Sequence, residues 1–297
     1  AFSVQEGVLF DSSKTTLVCY PAGLRGEYTM PEGIREIGTC AFAMSRITTI
    51  DLTGVQSIKE NAFWGSKLQS VAIPDSVTEM GISAFSRNFD LAEVTLGNGL
   101  TRISNLAFYD CWALTSIEIP ASVHSIGVDA FAKTVSLATL TFAENSQLTL
   151  IDSGSFFSSG LVAVTFPRTL ISIGMYAFAN TPLTSVDFGE ESHLTRIDEF
   201  AFYQTMLQTV TIPASVTMLN TGAFGACPAL TDITVAAGNT TYEDVDGVVY
   251  NQAITEIIAY PAGNVRTEYT VEGTVTAIGE NAFCGAQNLN NVSLPDG

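Results

Sequence analysis

Leu114-Thr-Ser-Ile-Glu-Ile-Pro-Ala-Ser-Val-His-Ser-Ile-Gly-Val-Asp-Ala-Phe131 is one copy of a unit that recurs along nearly the whole chain. Its skeleton is Leu-x-x-Val-x-Ile, a short turn, Val-x-x-Ile, then Ala-Phe. Aligned copies end at Phe42, Phe63, Phe85, Phe108, Phe131, Phe156, Phe178, Phe202, Phe224 and Phe283. Successive spacings are 21 to 25 residues, apart from a final gap of 59. Ala precedes nine of these phenylalanines, and Ser155 precedes the tenth. Five residues before each Phe stands Ile, Met or Leu, and eight before it Ile, Val or Leu. After each Phe comes a six-residue run such as Leu68-Gln-Ser-Val-Ala-Ile73, with alternating polar and apolar residues. That is a strand with one buried and one wet face. Proline follows five of these strands directly and ends them, because it cannot donate to a ladder.

A fixed period outranks length as a guide to architecture. The 297 residues therefore read as one solenoid, residues 1–297, rather than two ordinary domains. Each turn supplies a strand to a parallel sheet, and its apolar positions stack in columns that no single turn could bury alone. Two stretches differ. Glu6-Gly-Val-Leu-Phe10, Tyr20-Pro-Ala-Gly23 and Tyr28 reappear as Asp246-Gly-Val-Val-Tyr250, Tyr260-Pro-Ala-Gly263 and Tyr269. Glu6-Gly7 and Asp246-Gly247 predict tight hairpin turns. The modules, residues 1–30 and 236–270, read as hairpins inserted into the repeat system.

Hydrophobic residues make up 46%, yet no apolar run approaches the roughly 20 residues of a membrane span. Thirty acidic against 12 basic residues give a net charge of −18, which opposes nucleic acid and anionic membrane surfaces. Surface carboxylates also keep a long apolar spine soluble. The five cysteines, at irregular spacing, do not form a disulfide framework, and most are expected as buried free thiols. The chain begins and ends inside the pattern without an initiating Met, and reads as a fragment or a mature form.

The Ile-x-x-x-Ala-Phe step, the Leu-x-x-Val-x-Ile-Pro strand and the Gly-Val-Leu-Phe…Tyr-Pro-Ala-Gly module resemble the BspA-like leucine-rich repeat family. The resemblance covers nearly the whole chain. It implies an α/β-type repeat solenoid, mostly β: a right-handed coil of short parallel strands, about ten repeats of 21–25 residues plus hairpin modules. It also implies a bacterial or protozoan cell-surface or secreted protein that adheres to other proteins. The Asn ladder usual after the strand in leucine-rich repeats is absent. A parallel β-helix is the alternative fold, and needs two or three full strands per turn.

No catalytic, cofactor or metal constellation emerges, and the expectation is a non-enzymatic chain. His124 and His193 lie three units apart, about 15 Å at strand spacing, and read as solvated turn residues. Asp244-Val-Asp246-Gly247 has the opening of a calcium loop without its later ligands. Asn239-Thr-Thr241 and Asn291-Val-Ser293 match the glycosylation pattern, a frequent chance triplet.

Two surfaces remain as candidates for a protein or glycan ligand. One is the wet strand face, with Asp51, Glu93, Thr95, Ser116, Glu118, Thr139, Thr141, Asp187, Thr209, Thr211 and Asp232. It is hydroxyl-rich, mildly acidic and free of basic residues, and becomes the concave face if the coil curves with this sheet inside. Its competing reading is a solvated sheet with Thr chosen for β propensity. The other is an aromatic edge: Trp64, Tyr109, Phe157 and Tyr203 follow every second unit Phe, with Trp112 nearby. Large and small residues alternating to fill an outer shell would give the same pattern. The expected function is adhesin-like protein binding at a cell surface; the alternative is a structural spacer that displays another domain.

The unit Phe column yields the first test. Phe131→Ala should cost roughly 3–5 kcal/mol, read from denaturant unfolding. An unchanged unfolding curve would refute the stacked column.

Overall fold

The computed structural model describes residues 2–295 as a mostly-β solenoid of short, largely parallel strands, with no helix among them. The chain forms two compact units. One runs through Leu148 and includes Ser155–Gly160; the other is Thr149–Gly154 with Leu161 onward.

Each turn follows one path. A two-residue strand such as Ser57–Ile58 carries the apolar residue five before Phe. A tight arc follows around Ala-Phe, and a longer strand such as Ser70–Ile73 completes the turn. In the first unit the short strands at 36–37, 57–58 and 79–80 pair in parallel, with Ile37, Ile58 and Met80 in register. In the second, Ile173, Ile197 and Leu219 align likewise. The strand content per turn is thus one full strand and one bridge of two residues, short of a parallel β-helix.

The arc between them was not legible in the sequence. Residues two before and two after each unit Phe have positive φ, for example Asn61 (55°) and Gly65 (62°), or Leu106 (57°) and Asp110 (64°). Alternating handedness aims three N–H groups at the following turn. Asn61, Phe63 and Gly65 donate to the carbonyls of Ile82, Ala84 and Ser86 at 3.0, 2.7 and 2.9 Å. The same trio recurs from Leu106, Phe108 and Asp110. The Ala carbonyl is therefore an acceptor in the interturn ladder. Inside it the rings stack: Phe42 through Phe156 lie 4.9–5.4 Å apart and within 11° of parallel, and each is fully buried. In the second unit Phe178, Phe202 and Phe224 repeat this at 5.3 and 5.4 Å. At the last described turn Phe283 is only half-buried and Ile278 is 47% exposed.

A polar column runs three residues after Phe, ahead of the longer strand. Ser45, Ser66, Asn88, Cys111, Thr134, Ser159, Thr181, Thr205 and Cys227 all occupy it, and all are buried. Asn88 Nδ2 donates to the carbonyls of Phe63 and Phe85, both at 2.8 Å. Thr134 Oγ1 donates to the Phe131 carbonyl at 2.7 Å, and Cys111 Sγ to that of Phe85 at 3.2 Å. Burial pushes the Cys111 thiol up to about 12 and raises that of Cys227. All five cysteines are free, but only these two are buried; Cys19 and Cys40 are exposed and Cys284 half-buried, which corrects the sequence expectation. Cys40 occupies the left-handed position of its arc, on the rim and outside the polar column.

The hairpin modules are themselves shortened turns. Leu17 pairs with Ile37 and Ile257 with Ile278, so each module supplies the short strand. Tyr20 and Tyr260 then take the Phe place: each N–H donates to the next turn's Ala carbonyl, at 2.8 and 2.7 Å. Their rings lie 4.9 Å from Phe42 and 5.1 Å from Phe283. The added hairpins pair Phe2–Gln5 with Val8–Asp11 and Tyr242–Val245 with Val248–Asn251. Both turns have two positive φ values, 52° and 82° at Glu6-Gly7, 52° and 81° at Asp246-Gly247. That is the type I′ hairpin turn.

The two turns differ in what surrounds them. A Cβ on Gly7 would meet nothing within 4 Å, whereas one on Gly247 would lie 2.1 Å from Asp232 Oδ1. Gly7→Ala should cost about 1 kcal/mol and Gly247→Ala about 2 kcal/mol, because the Asp232 carboxylate must swing aside, compared by chemical denaturation. Equal costs would contradict the packing of Gly247 on Asp232. The first module also carries a titrating cap. Asp11 accepts from the N–H groups of Thr15 and Thr16 and from Ser13, which lowers its pKa to about 2. Its contribution is complete above the unfolded value near 3.8 and is lost as pH falls through about 2. Asn251 makes the same cap in the second module without titrating. Amide exchange at Thr15 and Thr16 should rise in that acid window relative to Thr255, and Asp11→Asn should abolish the difference.

Candidate functional site

The wet face comes from the outward residues of the longer strands. These do not form one continuous sheet but pair two by two: 25–28 with 46–50, 70–73 with 93–96, and 116–119 with 139–142 in the first unit. The second unit pairs 163–165 with 185–187, 209–212 with 232–235, and 268–270 with 291–293. Within the units, the breaks before strands 70–73, 116–119 and 209–212 follow the turns bearing Trp64, Tyr109 and Tyr203. Two breaks keep one backbone bond, Gln69 N–H to Thr48 O and Gln208 N–H to Thr184 O. Between Glu93–Leu96 and Ser116–Ile119 there is none among the described residues.

A cleft of about 310 Å³ opens at that gap, lined by Thr95, Asn98, Ser116 and Glu118 over Leu96 and Ile117. Val94 is half-buried there, whereas Val71, Ile117 and Leu140 in the same register are 2–5% exposed.

The strand-face carboxylates divide into two kinds. Asp51 accepts from the Thr53 N–H and hydroxyl, which lowers its pKa. Asp187 accepts from the Gly189 N–H at 2.8 Å. Asp232 is half-buried against Gly247. Asp51 and Asp187 hold local turns, and Asp232 packs beside the Gly247 hairpin turn. Glu93 and Glu118 are exposed and make no hydrogen bond or ion pair among the described residues; Glu118 lines the cleft, and Glu93 is the outward residue two before Thr95 on the same strand. Thr95, Ser116, Thr139 and Thr141 are also exposed; Thr209 is exposed, and Thr211 pairs with Thr234 at 2.9 Å. The structure thus brings Thr95, Ser116 and Glu118 together at the cleft, with Glu93 at the next outward position of the 93–96 strand, and leaves the others as separate positions. Asn98, from the loop after the 93–96 strand, completes the cleft, and no repeat position marked it.

The aromatic edge is half-buried at Trp64, Tyr109, Phe157 and Tyr203. The intervening turn supplies a cation two residues after its Phe: Arg87 lies 5.7 Å from the Trp64 ring centre, and Lys133 5.3 Å from that of Tyr109. Those ring faces are covered within the chain. Trp112 is 49% exposed, packs against Phe89 at 4.5 Å with the rings tilted by 41°, and donates through Nε1 to Asp110.

The other sequence features resolve into structure. His124 and His193 are exposed and lie in different units. Asp244 accepts from the Val235 N–H at 2.7 Å, and Asp246 forms the hairpin turn. Asn239 is buried, with Nδ2 donating to the Pro213 and Val216 carbonyls, so its amide nitrogen is occupied. No cluster of three or more His, Cys, Asp or Glu able to hold a metal occurs among the described residues. No helix there is long and apolar enough to cross a membrane.

The repeat path and its columns have a family counterpart. The BspA type leucine rich repeat region matches residues 25–138, 124–245 and 263–297, in six copies, and the chain belongs to that family. Among solved structures it is similar to a leucine-rich repeat protein from Bacteroides ovatus. The TM-score is 0.60 and identity 19%, over 98% of this chain and 92% of that one. A leucine rich cell surface protein from Faecalibacterium prausnitzii gives a TM-score of 0.58 and 21% identity, over 99% and 76%. A leucine-rich repeat protein from Eubacterium ventriosum gives 0.52 and 26%, over 69% of this chain and 48% of that one, so the match spans about half of that relative. No curated protein matches.

Proposed function

We propose that this chain is a non-enzymatic, adhesin-like binding protein of a cell surface or extracellular space, and that its strand face contacts a protein ligand. One observation carries the reading. Glu93, Thr95, Ser116 and Glu118 are exposed side chains, fixed by a rigid ladder, that the fold itself does not use. Residues held in place without a structural task are the ones a binding surface can specify. The extracellular location rests on the family resemblance, and the F. prausnitzii neighbour of like fold is described as a cell surface protein.

The test is surface plasmon resonance of the immobilised chain against a panel of purified extracellular-matrix proteins. Saturable retention is expected, weakened at least about tenfold when Glu93→Lys and Glu118→Lys are combined. The melting temperature should not change, because both side chains are exposed. Absence of retention across the panel would favour a spacer and overturn the proposal.

A further inference from the structure

We infer that the cleft between the 93–96 and 116–119 strands receives the cationic side chain, Lys or Arg, of a protein partner. This rests on the reading of the strand face as a protein-binding surface and names what that surface recognises.

The cleft exists because two strand pairs meet without a backbone bond. Its hydrocarbon is the uncovered flank of Val94, with Leu96 and Ile117 buried beneath. Its rim is made of acceptors: the Glu118 carboxylate and the hydroxyls of Thr95 and Ser116, with Glu93 on the neighbouring outward position. A long side chain with an apolar stem and a charged head matches both parts, since the stem covers hydrocarbon while the head stays among oxygens.

Charge selects the same occupant. Neighbouring carboxylates are already satisfied: Asp75 accepts from the Asn98 N–H at 2.7 Å, and Asp51 holds Thr53. Glu93 and Glu118 are not. The outward residues of these strands include no Lys or Arg to neutralise them. Nearby cations are engaged elsewhere: Arg102 donates to Asn105 at 2.8 Å, and Arg87 and Lys133 cover rings of the aromatic edge. A net charge of −18 draws a cationic segment toward the molecule and repels an acidic one. No aromatic ring lines the cleft to stack on a sugar, which favours a peptide side chain over a glycan.

The experiment uses the whole chain and two fluorescein-labelled decapeptides that differ only in a central Arg or citrulline. Fluorescence anisotropy at physiological salt should show the Arg peptide binding about fivefold or more tighter than the citrulline peptide, the upper range for one solvent-exposed ion pair. Combining Glu93→Gln with Glu118→Gln should erase that difference. Asp187→Asn, which alters a strand-face carboxylate of the other unit, should leave it intact. Equal affinity for both peptides would overturn the inference, as would an equal loss with Asp187→Asn, which signifies diffuse attraction only. Matrix retention that survives the double Gln variant would remove the cation cleft and leave protein binding standing. An Arg preference without matrix retention would keep the cleft and remove the adhesin reading.

Discussion

Everything in this chain depends on one interaction repeated from turn to turn. The unit Phe N–H bonds the next turn's Ala carbonyl, while its ring stacks on the next ring about 5 Å away. Both contacts point along the stack, so a turn is completed only by its neighbours. The left-handed residues on either side of Phe make this geometry available. Each costs about 1–2 kcal/mol for a residue other than glycine. Each also frees an N–H for an interturn hydrogen bond, worth about 0.5–1.5 kcal/mol net, in an arc whose closure buries the Phe column. The backbone strain and the stacked core are therefore parts of one arrangement.

That spacing of about 5 Å also organises the surface. Longer strands carried at this interval sit close enough to pair, yet they do so two at a time. The breaks before strands 70–73, 116–119 and 209–212 fall at the turns bearing the large aromatic residue, so there the outer edge and the strand face share a two-turn rhythm. The cations Arg87 and Lys133 cover the rings of Trp64 and Tyr109, so that part of the edge is satisfied within the chain. The strand face is the reverse. Around the cleft it is acidic, since the outward residues of strands 70–73, 93–96, 116–119 and 139–142 include no Lys or Arg, and it opens where the 93–96 and 116–119 strands part. The strand face thus presents the unpaired Glu93 and Glu118 beside the place where its backbone ladder is interrupted.

Much of the fold was legible because the period is carried by residue type. Phe, the small residue before it and the aliphatic positions five and eight before it recur whatever lies between them. The hairpins were legible from Glu6-Gly7 and Asp246-Gly247, since few sequences accept two positive φ values in succession. The polar column three after Phe was equally present in the sequence, at Ser45, Ser66, Asn88, Thr134 and Thr181. It went unrecognised because Ser, Thr, Asn and Cys there share a donor and not a name. The arc left only a broken signature: Gly, Asn or Asp stand at some of its left-handed positions, but Leu106, Tyr176 and Phe200 adopt the same conformation. Tertiary hydrogen bonds, and no local preference, hold them there.

The candidate surface divides along the same line. Alternation along each strand determined which residues face outward, because side chains of a strand point to opposite sides by geometry alone. Sequence therefore named Glu93, Thr95, Ser116 and Glu118 together with Asp51, Asp187 and Asp232, and had no means of ranking them. Only the tertiary structure separated the carboxylates that cap turns from those left unpaired, and only it revealed the interrupted ladder between two strands 23 residues apart in sequence. A repeat encodes what every turn has in common. What distinguishes one turn from the next depends on how two particular neighbours meet, and that is decided in space.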